Sequence, residues 1–189
     1  MINMNLINFI DPISDLAILA GEAILEVYNS DFEIEEKSDL SPLTEADLRS
    51  HKVIIRGLKS IDPKIPIISE EDNLQNFDKR KNWKRYWLID PLDGTKEFIN
   101  KNGEFTVNIA LIDNNKPVLG VVHVPVSAET YIACQGFGSK KIDSQGMIKT
   151  ISVRKKVNNP IKVIGSRSHR GNSLVKFLDN LGDYQFYSV

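Results

Sequence analysis

The sequence predicts an α+β protein built around an antiparallel sheet. Two amphipathic helical patterns occupy its first third, a run of short apolar segments joined by turn residues follows, and strand–helix alternation returns after Asn158. Asp11-Pro12 reads as the cap and first turn of a helix whose Ile13, Leu16, Ala17, Ala20, Ile24 and Val27 recur at helical spacing. Phe32 to Lys37 alternates as a short strand does, and Ser41-Pro42 breaks the chain. Thr44 then caps a second helix through Ile61, with Leu48, Ile54, Ile55 and Leu58 on one face and Asp47 in the first turn.

From Ile65 the period changes. Ile65 to Ser69 and Tyr86 to Ile89 are apolar runs bounded by proline and charge, as buried strands are, and the charged segment from Asn73 to Arg85 connects them. Thr106 to Ile112 and Val118 to Val126 flank an Asn114-Asn115 turn and predict an antiparallel pair. Tyr131 to Cys134 and Ile148 to Val153 extend this meander, separated by Gly136, Gly138 and Gly146. A strand from Lys162 to Gly165, a polar turn from Ser166 to Gly171, a helix to Leu181 and a strand ending at Val189 form an α/β unit. The expected division is a first α+β domain over 1–157 and the start of a second, incomplete α/β domain over 158–189.

Composition narrows the function. The 189 residues carry 24 Lys plus Arg against 25 Asp plus Glu, a net charge of −1, which disfavours a nucleic-acid binder. A 41% hydrophobic content suits a packed globular core and excludes wholesale disorder. The lone Cys134 cannot form an intrachain disulfide, which fits a reducing, cytoplasmic setting, and its strand-like neighbours predict a small buried core residue. No uninterrupted apolar stretch approaches the length of a membrane span.

Two acidic segments stand where predicted strands end: Ser69-Glu70-Glu71-Asp72 and Asp90-Pro91-Leu92-Asp93-Gly94-Thr95. Loops at strand ends present catalytic groups from a rigid scaffold, so both segments are expected to face one cleft. Pro91 predicts a tight turn that aims the Asp90 and Asp93 carboxylates and the Leu92 carbonyl toward one point, and such hard oxygen ligands suit Mg²⁺. Gly94 permits close backbone approach, and the amides after it are expected to hold a phosphate oxygen. Metal beside phosphate is the arrangement of metal-assisted phosphate-ester hydrolysis. Asp-Gly is also an ordinary turn pair, and either segment alone reads as solvated surface; the two together with Thr44 and Asp47 favour a site. A phosphatase with a nucleophilic aspartate one residue from its partner does not fit, because two residues separate Asp90 from Asp93.

These segments, with Trp87 to Ile99 and Gly103 to Ile112, resemble the inositol monophosphatase superfamily. Lys96-Glu97-Phe98 after Asp-Gly-Thr is similar to its bacterial branch of 3′(2′),5′-bisphosphate nucleotidases. The resemblance implies a layered α/β/α/β sandwich of the sugar-phosphatase type and a Mg²⁺-dependent, lithium-sensitive phosphatase with two or three ions. The implied reaction releases the 3′-phosphate of adenosine 3′,5′-bisphosphate, a small nucleotide by-product of sulfate assimilation, to give AMP. By the same resemblance Glu70, Asp90, the Leu92 carbonyl and Asp93 ligate metal, and Leu92, Asp93, Gly94 and Thr95, with Glu70, touch the substrate. Thr95, oriented by Asp47, and Glu70 position and activate the attacking water. Ser166 and His169 match nucleotide-binding positions, with Arg167 a source of charge for a second phosphate, whereas His51 and His123 are expected to be structural.

Family members continue beyond the position of Val189 to a late metal-ligating Asp. The chain is therefore expected to be a truncated copy or a fragment, of reduced or no activity. Two alternatives stay open: a phosphatase of inositol monophosphate or another small sugar phosphate, and an inactive remnant that only binds metal or nucleotide. Peripheral association with the inner membrane and the oligomeric state are likewise open.

Overall fold

The structure, a computed structural model, describes residues 4–30, 34–36, 42–72, 77–165 and 172–188. The chain divides into two compact units, Met1–Ile151 and Ser152–Val189.

In the first unit a single turn, α1 (Met4–Ile7), leads into α2 (Ile10–Tyr28). The expected Asp11 cap is corrected: Phe9 is the N-cap and makes no side-chain cap hydrogen bond. Buried Ile10 draws the helix start back into the core, leaving Asp11 in the first turn, where its charge suits the helix dipole. Ile13, Ala17, Ala20 and Ile24 are fully buried, as the spacing predicts. The expected break at Pro42 is instead the start of a strand: β1 (Ile34–Glu36) pairs antiparallel with β2 (Pro42–Thr44), which runs directly into α3 (Glu45–Ile61). Proline is tolerated in such a two-stranded ribbon because an edge strand needs no inward N–H.

Next come β3 (Ile67–Ser69), the short helix α4 (Phe77–Arg80), β4 (Arg85–Asp93), α5 (Thr95–Ile99), β5 (Thr106–Asp113), β6 (Lys116–Val124), β7 (Glu129–Cys134), β8 (Gly138–Ile142) and β9 (Ile148–Ile151). Strands β3 to β9 form one seven-stranded sheet in sequence order. From β4 onward every pairing is antiparallel, but β3 runs parallel to β4, so the sheet is mixed where an antiparallel one was expected. The 70–84 connection is long enough to cross back and restart in the same direction. The β5–β6 turn is the predicted one, with Asn114 and Asn115 both at positive φ, 48° and 61°. Strand β8, rich in Lys, carried no apolar signal in the sequence and is held by its pairing to β7 and β9.

Helices α2 and α3 pack on each other and on one face of the sheet, α2 over β5 to β7 and α3 over β4. The core between them holds Trp87, Ile109, Leu111, Leu119 and Val121 from the sheet, and Ile54 and Leu58 from α3. Cys134 is buried in the same core, as expected. No helix among the described residues is long and apolar enough to cross a membrane.

His123 also points into this core, as its apolar strand implied. It is 4% exposed, its Nδ1 lies 2.9 Å from the Thr130 hydroxyl, and it sits so close to Gly21 of α2 that a Cβ there would fall 2.6 Å from the ring. Burial lowers its pKa, partly offset by the Glu129 backbone. A folded pKa below the unfolded one means that the unfolded chain gains a proton first, so this contribution to stability is lost as pH falls below about 6.5. Melting curves of the chain and of His123→Gln between pH 7.5 and 5.5 check this: the stability gap between them should narrow on acidification, and a constant gap would contradict it.

In the second unit β10 (Ile161–Gly165), α6 (Asn172–Asp179) and β11 (Tyr184–Ser188) form a strand–helix–strand unit, and β10 pairs parallel with β11 from Ile161↔Tyr184 to Gly165↔Ser188. The α/β alternation predicted there is present, with Gly165 packed against the Phe186 ring.

Candidate active site

The parallel pairing of β3 with β4 sets the position of both acidic segments. Ser69 stands opposite Ile89, and the Glu70 amide donates to the Ile89 carbonyl at 3.1 Å. The chain therefore leaves β3 at Glu70 beside Asp90, at the same end of the sheet.

Asp90 and Asp93 do not flank the expected tight turn. Strand β4 continues through both residues, and Pro91-Leu92 form a bulge: Asp90 pairs with Asn108 and Asp93 with Thr106, three steps on one strand against two on the other. Residues three apart in a regular strand point to opposite faces, whereas partners two apart share one. The extra residue thus turns Asp93 onto the side of Asp90, as bulges do when they re-aim a side chain. A hydrogen-bonded series runs along this side: the Thr106 hydroxyl donates to Asn108 Oδ1 at 3.2 Å, and Asn108 Nδ2 donates to Asp93 Oδ2 at 3.2 Å.

One turn of α3 faces these loops. Asp47, only 2% exposed, forms a group with Glu70 and Glu71 in which one ligand atom from each lies within 4.8 Å of the others. Ser50, fully buried, donates its hydroxyl to the Pro91 carbonyl at 2.7 Å and holds the bulge. His51 Nδ1 lies 2.9 Å from Ser69 Oγ, and its Nε2 lies 3.6 Å from Asp72 Oδ1.

Gly94 ends the bulge with φ +95°, and a Cβ there would lie 2.9 Å from the Glu104 carbonyl oxygen, so two independent constraints demand glycine. It caps α5, whose Phe98 amide donates to the Gly94 carbonyl at 2.9 Å. The Thr95 hydroxyl donates to the Leu92 carbonyl at 3.4 Å, bringing these two expected site groups together.

The electrostatics match a cation site. Asp90 is pushed up to about 6, first by burial and then by the charges of Asp93, Glu70 and Glu71, while the Leu92 backbone partly opposes the shift. The neighbouring charges oppose ionisation of Asp90, and a divalent cation held by hard oxygen donors reverses that penalty. The donor set therefore fits such an ion. Because a bound cation needs the carboxylate form, cation binding should release a proton and weaken as pH falls through about 6. Calorimetric titration of the chain with Mg²⁺ at pH 5.5 and 7.5 checks this; equal affinity at both would count against Asp90 as part of the site.

Of the residues singled out in the sequence, Asp47, Glu70, Asp90, Leu92, Asp93, Gly94 and Thr95 lie on these adjoining segments. Ser166, Arg167 and His169, and the side chain of Thr44, lie outside the described residues. The sequence reading did not single out Glu71 as a site group, nor Ser50 or Asn108 at all, and it gave His51 no contact with the site. One signal was available: Asp47 and Ser50 fall on the buried stripe of an otherwise apolar helix face, together with Ala46, Ile54 and Leu58. Polar groups there need a purpose.

The family model described as "Inositol monophosphatase family" matches residues 6–182. The 3′(2′),5′-bisphosphate nucleotidase CysQ of Escherichia coli strain K12 is 46% identical over 182 residues, covering 95% of this chain and 72% of that protein. The protein of the same name from Buchnera aphidicola is 43% identical over 91% of this chain and 64% of its own length. Among solved structures, CysQ from Bacteroides thetaiotaomicron, described as a bacterial member of the inositol monophosphatase family, superposes with a TM-score of 0.75 at 33% identity, over 94% of this chain and 72% of that one. SuhB from Bartonella henselae, at 21% identity and a TM-score of 0.76, shares the fold.

Proposed function

Since the chain belongs to the inositol monophosphatase family, we propose that its reaction is that of a 3′(2′),5′-bisphosphate nucleotidase: hydrolysis of the 3′-phosphate of adenosine 3′,5′-bisphosphate to AMP and phosphate. The observation that carries this reading is the 46% identity to a nucleotidase over 95% of the chain, joined to two acidic segments brought to one end of the sheet. The protein is a metal-dependent phosphatase. Mg²⁺ is the ion we propose, held by Glu70, Asp90, the Leu92 carbonyl and Asp93, with the Asp47, Glu70 and Glu71 group beside them. When bound, such ions lower the pKa of water, neutralise phosphate charge and stabilise the leaving oxygen.

The chain's own groups then divide the work. The bulge and the left-handed Gly94 hold the Leu92 carbonyl, the Asp93 carboxylate and the Thr95 hydroxyl on one short path for the phosphate. Glu70 accepts the proton of the attacking water, and Thr95, oriented by Asp47, holds that water in line. Asn108 keeps Asp93 turned to the site. Residues 158–189 belong to a second α/β domain in this reading, and its Ser166 and His169 contact the nucleotide. A cytoplasmic location accompanies it, in keeping with a chain whose single thiol is a buried core residue.

The test measures phosphate release from adenosine 3′,5′-bisphosphate and from inositol 1-phosphate with Mg²⁺, with Asp93→Asn as control. Preference for the nucleotide, lost in the control, is expected. Preference for the inositol ester would overturn the assignment.

A further inference from the structure

Ser69, His51 and Asp72 form a linked set whose geometry differs from that of a nucleophilic triad. In a triad the serine meets Nε2 and the carboxylate meets Nδ1. Here Ser69 Oγ meets Nδ1 at 2.9 Å, and Asp72 Oδ1 stands 3.6 Å from Nε2. Ser69 is also 1% exposed, and its hydroxyl oxygen accepts the Glu71 amide at 3.3 Å, so it is withdrawn from substrate. The set has another notable property: its two loop members bracket Glu70 and Glu71, one immediately before them and one immediately after.

We propose that His51 is a positioning residue that clamps the Ser69–Asp72 loop from α3 and thereby sets the Glu70 and Glu71 carboxylates against Asp47. The inference rests on the metal-dependent reading above. Backbone pairing with β4 continues only to Glu70, whose amide donates to the Ile89 carbonyl. Beyond it the Asp72 amide reaches back to the Ser69 carbonyl at 3.4 Å, a long local bond that leaves the loop's direction to side chains. His51 lies one helical turn after Asp47, and residues four apart share a helix face. The helix that carries Asp47 therefore also holds Ser69 at one end of the segment carrying its two partners, and its His51 Nε2 stands 3.6 Å from Asp72 Oδ1 at the other. Ser50, on the same turn, holds the Pro91 carbonyl, so one turn of α3 gauges the separation of the two acidic segments.

The test compares His51→Ala, His51→Asn, His51→Gln and Ser69→Ala in the full chain, reading Mg²⁺ affinity by calorimetry and kcat and KM on adenosine 3′,5′-bisphosphate. Asparagine places a polar atom near the Nδ1 position and glutamine near Nε2. Loss of an outer partner of a metal ligand typically costs about 10–100-fold in metal affinity or activity. His51→Ala should therefore weaken Mg²⁺ binding and lower kcat by about that factor with KM changed much less. His51→Asn should recover more than His51→Gln, because the shorter contact is to Ser69. The His51→Ala and Ser69→Ala losses should not add in the double variant. Mg²⁺ affinity within twofold of the unaltered chain in His51→Ala, no recovery in His51→Asn, or additive losses would each overturn the proposal. If the unaltered chain binds Mg²⁺ but leaves the bisphosphate intact, the nucleotidase reading fails while the Mg²⁺ comparison still decides the role of His51.

Discussion

Asp90→Asn should abolish phosphate release and, at the same time, raise the melting temperature of the metal-free chain at pH 7.5. Both effects come from one cause. Asp90 is partly buried beside Asp93, Glu70 and Glu71, and its pKa stands at about 6 against an ordinary 3.8. The folded state thus holds this proton where the unfolded chain has released it, so the group's contribution to stability falls as pH rises from about 4 to about 6 and stays unfavourable above. A neutral asparagine removes the repulsion but also a carboxylate charge of the proposed metal site. Metal-ion catalysis is worth several kcal/mol, so loss of the ion's grip should slow turnover by about 10³-fold or more. Melting curves with chelator should show the variant above the unaltered chain at pH 7.5, with the difference vanishing near pH 4. Saturating Mg²⁺ should reverse the order. A variant that melts lower without metal, or that retains turnover, would contradict this account.

Gly94→Ala should destabilise the chain and inactivate it together. The residue sits at φ +95°, a region that costs an L-residue about 1–2 kcal/mol, and its new methyl would lie 2.9 Å from the Glu104 carbonyl oxygen and 3.2 Å from Phe105 Cα. Both obstacles are backbone atoms that cannot swing aside. The strain falls on the path from Asp93 to Thr95, so relief by shifting the chain would move the Thr95 hydroxyl from the Leu92 carbonyl. For a chain of this size each kcal/mol lowers the melting temperature by about 2–4 °C. A drop of several degrees with loss of phosphate release is expected from thermal melts and assays run below the transition. An unchanged melting temperature would show that the loop has room that these distances deny.

Much of the molecule was legible because it depends on local pattern. The stripe of Ile13, Ala17, Ala20 and Ile24 determined the buried face of α2, and Asn114-Asn115 determined a hairpin, since only residues that tolerate positive φ form that turn. Glu70, Asp90 and Asp93 were legible as candidates because two segments of hard oxygen donors at strand ends, either of which alone reads as solvated surface, occur together with Asp47 upstream. Strand β8 was not legible: Ser-Lys-Lys has no apolar alternation, and only its pairing between β7 and β9 makes it a strand. The start of α2 was misplaced because the burial of Ile10 outweighed the capping preference of Asp11.

The sequence by itself singled out Glu70, Asp90, Leu92, Asp93, Gly94 and Thr95 as candidate site residues, through residue type, position at predicted strand ends and the family resemblance they carry. The tertiary structure alone decided how they meet. Parallel pairing of β3 with β4 puts Glu70 beside Asp90, whereas an antiparallel pairing would place them at opposite ends of the strand. The two-residue bulge turns Asp93 to the side of Asp90, and one turn of α3 brings Asp47, Ser50 and His51 onto loops that follow much later in the chain. Strand direction, bulge register and helix docking are fixed by contacts between segments distant in sequence, and local propensity carries no record of those contacts.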